Sequence, residues 1–330
     1  MPSQPTDLEP GAEPGSSEVA NRRQRFAAWW ELVPGNVRGA AWVFVGGMLF
    51  AIMAALIKLL GQRLHIAEIL AVRQGVMVIL VLPVILRSFP GSLKTRFPGL
   101  HAARIVFAMT AMLAGFTALI HIPLADATAI SFARAFFITI LAIIFLKEEV
   151  GLRRWMATIV GFIGVLIMVR PDTSGALDIY ALFAAGSAAA AAMALVIIRK
   201  LSQVEPPTTI LTYQAVFVGL LIALPAYWWW QAPTTEEWGL LILMGFVSYA
   251  AQYANIRAYR NGEATAIASL DYIRLLYATG IGIYLFAEWP GTDTLIGAAI
   301  IISASLYTVQ REARRGRKLA RAEESRNIET

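Results

Sequence analysis

The sequence predicts an all-α integral membrane protein in which ten transmembrane helices form two inverted five-helix repeats. Three observations lead there. Hydrophobic residues make up 58% of the 330-residue chain and charged residues 15%, against about 45–50% and 25% in soluble domains. The apolar residues come in blocks near the length a helix needs to cross a hydrocarbon core roughly 30 Å thick. The second half of the chain also repeats short stretches of the first at a nearly constant offset. The mean hydropathy of +0.61 is that of a membrane protein, not of a disordered chain or a cytosolic enzyme. There is no cysteine, which excludes thiolate metal sites, thiol nucleophiles and disulfides.

Taken in order, the first 20 residues are rich in Pro, Glu, Ser and Gly and are expected to be disordered. Arg22, Arg23 and Arg25, followed by Phe26, Trp29 and Trp30, form an interfacial approach that completes a tail over residues 1–37. Apolar spans follow at 38–60, 66–86, 102–121, 124–146, 153–170, 178–199, 208–230, 238–258, 263–286 and 293–310, and a basic tail closes the chain at 311–330. The connections are short and marked by Gly, Pro or charge, as in Phe89-Pro90-Gly91, Glu205-Pro206-Pro207 and Trp289-Pro290-Gly291. With this arrangement 22 of the 28 Lys and Arg residues fall on the side of both termini, 3 on the opposite side and 3 inside spans. The positive-inside rule therefore puts both termini in the cytoplasm. The basic residues sit in loops and tails, so the net charge of +6 points to a membrane and not to nucleic acid. No short apolar region with a small-residue cleavage site precedes the spans, so no cleaved signal peptide is expected.

The repeat is visible residue by residue. Ile57-Lys58-Leu59-Leu60-Gly61-Gln62 returns as Ile198-Arg199-Lys200-Leu201-Ser202-Gln203 at an offset of 141, and Ala127-Thr128-Ala129-Ile130 returns intact as Ala264-Thr265-Ala266-Ile267 at 137. Phe145-Leu146-Lys147-Glu148 resembles Leu285-Phe286-Ala287-Glu288 at 140. The repeats, 38–170 and 178–310, hold five spans each. An odd number turns the second copy upside down relative to the first, the architecture of many secondary transporters that rock two halves about a central site.

Three stretches of the first repeat resemble a known family. They are Pro123-Leu124-Ala125-Asp126-Ala127-Thr128-Ala129-Ile130-Ser131-Phe132, Phe145-Leu146-Lys147-Glu148-Glu149 and Gly161-Phe162-Ile163-Gly164-Val165-Leu166. Together they are similar to the signature of EamA-type transporters of the drug/metabolite transporter superfamily. Ala54-Ala55-Leu56-Ile57-Lys58-Leu59-Leu60, with Glu68-Ile69 and Arg73, resembles a bacterial subgroup. The resemblance implies a ten-helix carrier in a bacterial cytoplasmic membrane that moves small organic metabolites without ATP or a prosthetic group. Where the family often has proline after Ser-Phe in span four, this chain reads Ala133-Arg134-Ala135, an arginine in place of a helix breaker.

Charge inside hydrocarbon costs about 2.5–3.5 kcal/mol per Arg or Asp even on a permissive scale, so each instance calls for a reason. Arg134 and Arg274 occupy corresponding places in spans four and nine and are expected to face one cavity near the midplane. Guanidinium groups there would grip a carboxylate or phosphate through paired hydrogen bonds. The alternative is structural, with Asp271 pairing along the helix with Arg274 at i, i+3. Arg73 in span two has either a substrate or conformational role, or snorkels to the interface. Asp271 and Glu68 are the candidates for coupling to a proton. Tyr213 and Gln214 in span seven, Gln252, Tyr253 and Asn255 in span eight, and Tyr272 and Tyr277 in span nine are polar candidates for the same cavity. Trp228, Trp229, Trp230 and Trp289 read as interfacial anchors, and Gly161, Gly164 and Gly186-Ser187 as sites of close helix packing. Glu148 and Glu149 read as a solvated loop cluster.

Other classes lack their chemistry. There is no G-x-x-x-x-G-K-[ST] loop for ATP and no H-E-x-x-H, and His65, His101 and His121 lie near span ends as interfacial residues, not metal ligands. A membrane-embedded transferase would need a carboxylate cluster for a metal-bound diphosphate. The expected function is secondary transport of an anionic or zwitterionic metabolite, with a passive channel as the nearer rival. The partners are a small-molecule substrate and the bilayer, with a coupled proton or counter-substrate left open. The topology makes a direct prediction: alkaline phosphatase fused after Arg63 is active, fused after Lys94 it is inactive, and a C-terminal green fluorescent protein fluoresces. Activity after Lys94 would overturn the span order.

Overall fold

The computed structural model describes residues 34–89, 91, 94–146, 152–168, 178–201, 204–205, 207–261, 270–304 and 306–307. The N-terminal tail, the Lys147 to Glu149 cluster, Arg170, the Ala264 to Ile267 copy and the basic C-terminal tail lie outside these residues. Hydrocarbon offers the backbone no hydrogen-bond partner, so a spanning chain satisfies its own groups as helix. The helices are α1 Gly35–Leu60, α2 Ile66–Ser88, α3 Pro98–His121, α4 Leu124–Ser131, α5 Arg134–Leu146, α6 Leu152–Met168, α7 Ile179–Leu201, α8 Pro207–Trp228, α9 Thr235–Asn261 and α10 Ile273–Phe286, with α11 at Thr292–Ala304. Among the described residues six spans are long and apolar enough to cross a membrane, α4 and α5 counting as one, and α6, α8, α10 and α11 give shorter apolar helices. Their outward faces carry exposed apolar side chains such as Ile79, Leu86, Leu220 and Leu224, as a lipid-facing surface requires.

Two features depart from the expected spans. Helix α3 begins four residues early because Pro98 takes its first position, where a missing N–H is no loss. His101 consequently lies inside the helix and not at the interface as expected, and both it and Arg104 are buried. Span four is not one continuous helix but breaks at Phe132-Ala133, between α4 and α5. There Phe132 N–H donates to Ala129 O at 3.1 Å and Ala133 N–H to Ile130 O at 2.9 Å, a tightened i→i+3 pattern. The same pattern recurs in span nine, where Arg274 N–H reaches Asp271 O at 3.1 Å and Leu275 N–H reaches Tyr272 O at 3.0 Å. No proline is needed for the first break, because Phe132 and Ala133 are enclosed in a packed core with Ile130, Phe136 and Ile301. Irregular backbone at membrane depth is tolerated where protein surrounds it.

The most extensive helix contacts are α1 with α9, α3 with α7 and α2 with α8. Each joins the first half of the chain to the second, and exchanging the halves turns the first pair into the second. The halves therefore interleave. Small residues let some pairs approach closely, as expected for Gly161 and Gly164: a Cβ on Gly297 of α11 would lie 2.8 Å from Gly164 O of α6 and 2.3 Å from Met168 Cγ. Ser187 packs against Gly115 of α3 and donates to Ala111 O at 2.7 Å. Its neighbour Gly186 faces open space instead.

Polar ties bind the halves at both ends of the bundle. At one end Lys58 of α1 donates to Ile122 O at 2.6 Å and pairs with Glu288, while Glu288 accepts the Leu124 N–H at 3.0 Å. Glu288 is held in place by the end of α10, where Ala287 takes a left-handed conformation at φ 54° and Glu288 N–H donates back to Gly282 O at 3.0 Å. Arg63 pairs with Glu237 at the same end, and Thr294 donates to Asp126 at 2.6 Å. At the other end His101 Nε2 lies 2.6 Å from Glu205 Oε2. The same carboxylate accepts from the Thr95 hydroxyl and, at 3.0 Å, from the Arg96 N–H. The His101 ring stacks on Tyr213 at 4.3 Å, and Arg104 donates to Ile210 O at 2.9 Å and to Gln214.

Two predictions follow from this packing. Gly297→Val places side-chain atoms on the Gly164 carbonyl and is expected to destabilise the detergent-purified protein by about 1–3 kcal/mol, read as a lowered melting temperature; an unchanged value would mean α6 and α11 do not meet there. Burial pushes the Glu205 carboxyl up, but the Thr95 hydroxyl, the His101 ring and the Arg96 amide outweigh it and hold the group below its ordinary value. The stabilisation it supplies is thus present above about pH 4.3 and is lost as pH falls through the native value. A melting series from neutral to acid pH should fall more steeply in the parent protein than in Glu205→Gln, and parallel curves would refute the pairing.

Candidate functional site

The breaks in spans four and nine meet at a cavity of about 260 Å³ inside the bundle. Helix α1 contributes Phe50, Ala51 and Ala54, α3 contributes Ala111, Gly115 and Phe116, and α7 contributes Ala184, Ser187 and Ala191. Thr128 and Ser131 come from α4, Arg134 from the first position of α5, and Arg274 from the first turn of α10. The small residues leave the space, and the breaks deliver the charge. A larger groove of about 610 Å³ between α1 and α10 is lined by Met48, Ile52, Leu59, Tyr284 and other apolar groups. It suits acyl chains and holds no charged group.

Arg274 is held mainly by ring faces. Its guanidinium carbon lies 5.5 Å from the centre of Phe50 and 5.2 Å from that of Phe132, contacts worth about 0.5–2 kcal/mol each. Its polar contacts are long, at 3.5 Å to Ser131 Oγ and 3.8 Å to Asp271 Oδ2. Aromatic faces fix the plane of a guanidinium while leaving N–H groups at its edge for a ligand. Helices α5 and α10 both begin at this cavity, and the partial positive charge of a helix N-terminus adds to that of the two arginines. Asp271 lines a separate small pocket with Asn255, Trp42 and Gly46, and Phe50 forms a wall common to both.

The remaining candidates lie elsewhere. Arg73 is buried, donates to Ser248 Oγ at 3.0 Å and stacks over Phe116 at 5.6 Å, behind the cavity wall. Gln214 accepts from Arg104, and Tyr213 stacks on His101, both toward the Glu205 end. Tyr272 meets Phe132 edge-on at 4.7 Å, and Tyr277 lies beside Gly47. Gln252 is exposed and Tyr253 packs edge-on to Trp42. Glu68 is fully buried near the Arg63 end, where it accepts the Gln231 N–H at 3.1 Å and leaves Oε1 without a partner. Sequence reasoning passed over Thr128, Ser131, Phe50 and Phe132. Ser131 and Phe132 stand within one turn of Arg134, so the arginine itself was the available signal. Among the described residues no cluster of His, Asp and Glu is placed to hold a metal ion.

The profile of the EamA-like transporter family matches residues 37–170 and again 178–310. The S-adenosylmethionine uptake transporter of Rickettsia prowazekii is 31% identical over 280 residues, covering 84% of this chain and 94% of its own. The riboflavin transporter of Brucella anthropi is 32% identical over 71% of this chain and 84% of its own. The pseudopaline exporter of Pseudomonas aeruginosa is 30% identical over 81% and 94%. A solved crystal structure superposes with a TM-score of 0.59 at 16% identity over 84% of this chain and 98% of its own, which supports the fold alone. With both halves matched by one profile and transporter relatives matched along most of their length, the chain belongs to the EamA-like transporter family of the drug/metabolite transporter superfamily.

Proposed function

We propose that this membrane protein moves a small anionic or zwitterionic metabolite across the cytoplasmic membrane by alternating access, without ATP hydrolysis, and binds it in the cavity between Arg134 and Arg274. One observation carries the reading: two arginines at equivalent positions of the two repeats, both at helix breaks, line the same cavity. Broken helices whose N-termini face a central site are the device by which inverted-repeat carriers hold anionic groups. The relatives are named for both uptake and export and for different organic substrates, which supports a small organic cargo, and the arginines lining the cavity support an anionic group on it.

The ties at the two ends support a carrier over an open channel. With both termini in the cytoplasm, the knot of Lys58, Glu288, Ile122 and Leu124 lies on the outer side. It sits about one helical turn beyond Ala54, Leu119 and Ala127 of the cavity. The knot is the barrier on that side in this conformation, and the His101–Glu205 tie joins the halves on the inner side. Of the two carboxylates considered for proton coupling, Asp271 stands beside Arg274, whereas Glu68 is bound to the Gln231 amide away from the cavity. Position favours Asp271.

Solute counterflow in proteoliposomes tests the reading. Uptake should saturate, exceed equilibration only when unlabelled substrate is preloaded, and weaken by tenfold or more in Arg274→Ala, as loss of a charge-assisted hydrogen bond worth about 1.5–3 kcal/mol requires. Counterflow unchanged in both Arg134→Ala and Arg274→Ala would discard the cavity as the site. Unitary currents across a planar bilayer would discard the carrier.

A further inference from the structure

The groove between α1 and α10 is a separate feature, which the transport cycle proposed above does not use. It holds about 610 Å³ and is walled by α1 residues from Met48 to Leu59 and by α10 residues from Gly280 to Phe286. Both helices run toward the knot, where Leu59 follows Lys58 and Phe286 lies two residues before Glu288. We propose that the groove is a lipid site, filled by one acyl chain of a phospholipid from the leaflet on the knot's side of the membrane.

Length, volume and chemistry all point to such a chain. From residue 48 to residue 59 a helix rises about 16 Å, close to one leaflet of a hydrocarbon core roughly 30 Å thick. A chain of roughly 16 to 18 carbons needs on the order of 500 Å³ at about 30 Å³ per heavy atom, so the groove takes one chain and not two. Small residues make the room: Ala55 lies on the α1 wall, and a Cβ on Gly280 would meet no atom within 4 Å. Among the described lining residues the phenol of Tyr284, 87% exposed, is the one polar side-chain group.

Other occupants match the groove less well. α1 arrives at the knot and α11 departs from it, so both tails leave from the opposite end and would have to carry charge into hydrocarbon to fill the groove. A second copy would pair through small residues or polar side chains that bond across the interface, whereas the rim here is Met48, Leu59 and Leu285, large and exposed. A flexible chain conforms to such a surface. Its back wall is also a wall of the transport cavity. Ala55, Ile281 and Phe286 pack in one cluster with Ala54, Leu124 and Ala278, and Ala54 lines the cavity. A bound chain therefore supports the seam that separates the cavity from the bilayer.

Photocrosslinking tests the site on the full chain in nanodiscs of phosphatidylethanolamine and phosphatidylglycerol, with a diazirine on a fraction of the acyl chains. Labelling per residue over 48–59 and 280–286 should exceed that of the α2 and α8 faces bearing Ile79, Leu220 and Leu224 by at least about fivefold, the ratio that about 1 kcal/mol of preference gives. Gly280→Phe fills the open space and should bring the groove down to the level of those faces. Their own labelling should stay unchanged, which a misfolded variant would not allow. Even labelling of all faces, or groove labelling untouched by Gly280→Phe, overturns the site. A dimer that light scattering detects and Gly280→Phe dissociates would make the occupant a second copy and overturn the lipid.

Discussion

A polar group inside hydrocarbon must find its partner within the protein, and the arrangement of this bundle follows from that constraint. It makes the spans helical, and it decides where a helix can stop. Interruptions within the bundle are met in part from the opposite half of the chain. The Ile122 carbonyl and Leu124 amide, exposed where α3 gives way to α4, are bound by Lys58 and Glu288. The break at Phe132-Ala133 is enclosed by α7 and α11 residues together with Leu275 of α10. Charges obey the same rule, as Arg73 reaches Ser248 and Arg104 reaches Gln214. A polar residue of one repeat is thus a structural requirement of the other.

Interleaving changes what duplication means here. Because α1 packs on α9, α3 on α7 and α2 on α8, each half covers much of the other's packing surface. The two copies share one core instead of building two. The junction of the halves is therefore made of several paired helix faces, with small residues at some of them. Gly115 receives the small Ser187 side chain, and Gly297 meets the Gly164 carbonyl beside Met168, close approaches that a glycine at each position allows.

The spans were legible in the sequence because block length is a one-dimensional signal, and the repeat offset pointed to the shared cavity that Arg134 and Arg274 line, because it converts into a spatial equivalence. Contacts with no periodic signature were not. His101 and Glu205 lie 104 residues apart in unrelated contexts, and nothing local in either marks the other as its partner. The early start of α3 was legible in principle, since Phe97-Pro98 is a helix-start pattern, but apolar block length outweighed it and set the start of the span just past His101. The break in span four was hidden for a different reason. A helix without proline reads as continuous, and only the enclosing core makes the tightened turn affordable. Asp271 illustrates the limit of spacing arguments: i, i+3 placed it near Arg274, yet it opens into the adjoining pocket.

The knot at Pro123 bears on how that end of the bundle moves. Ile122 closes α3 and Leu124 opens α4, so the Ile122 carbonyl and Leu124 amide on either side of Pro123 lack helical partners and are served by side chains. Lys58 and Glu288 serve them while neutralising each other. Drawing Glu288 away from the first repeat breaks its pairing with Lys58 and its bond from the Leu124 N–H together, while Lys58 keeps the Ile122 carbonyl. The junction of the two halves at that end therefore holds an ion pair and a backbone hydrogen bond on one carboxylate, so neither can be given up without the other.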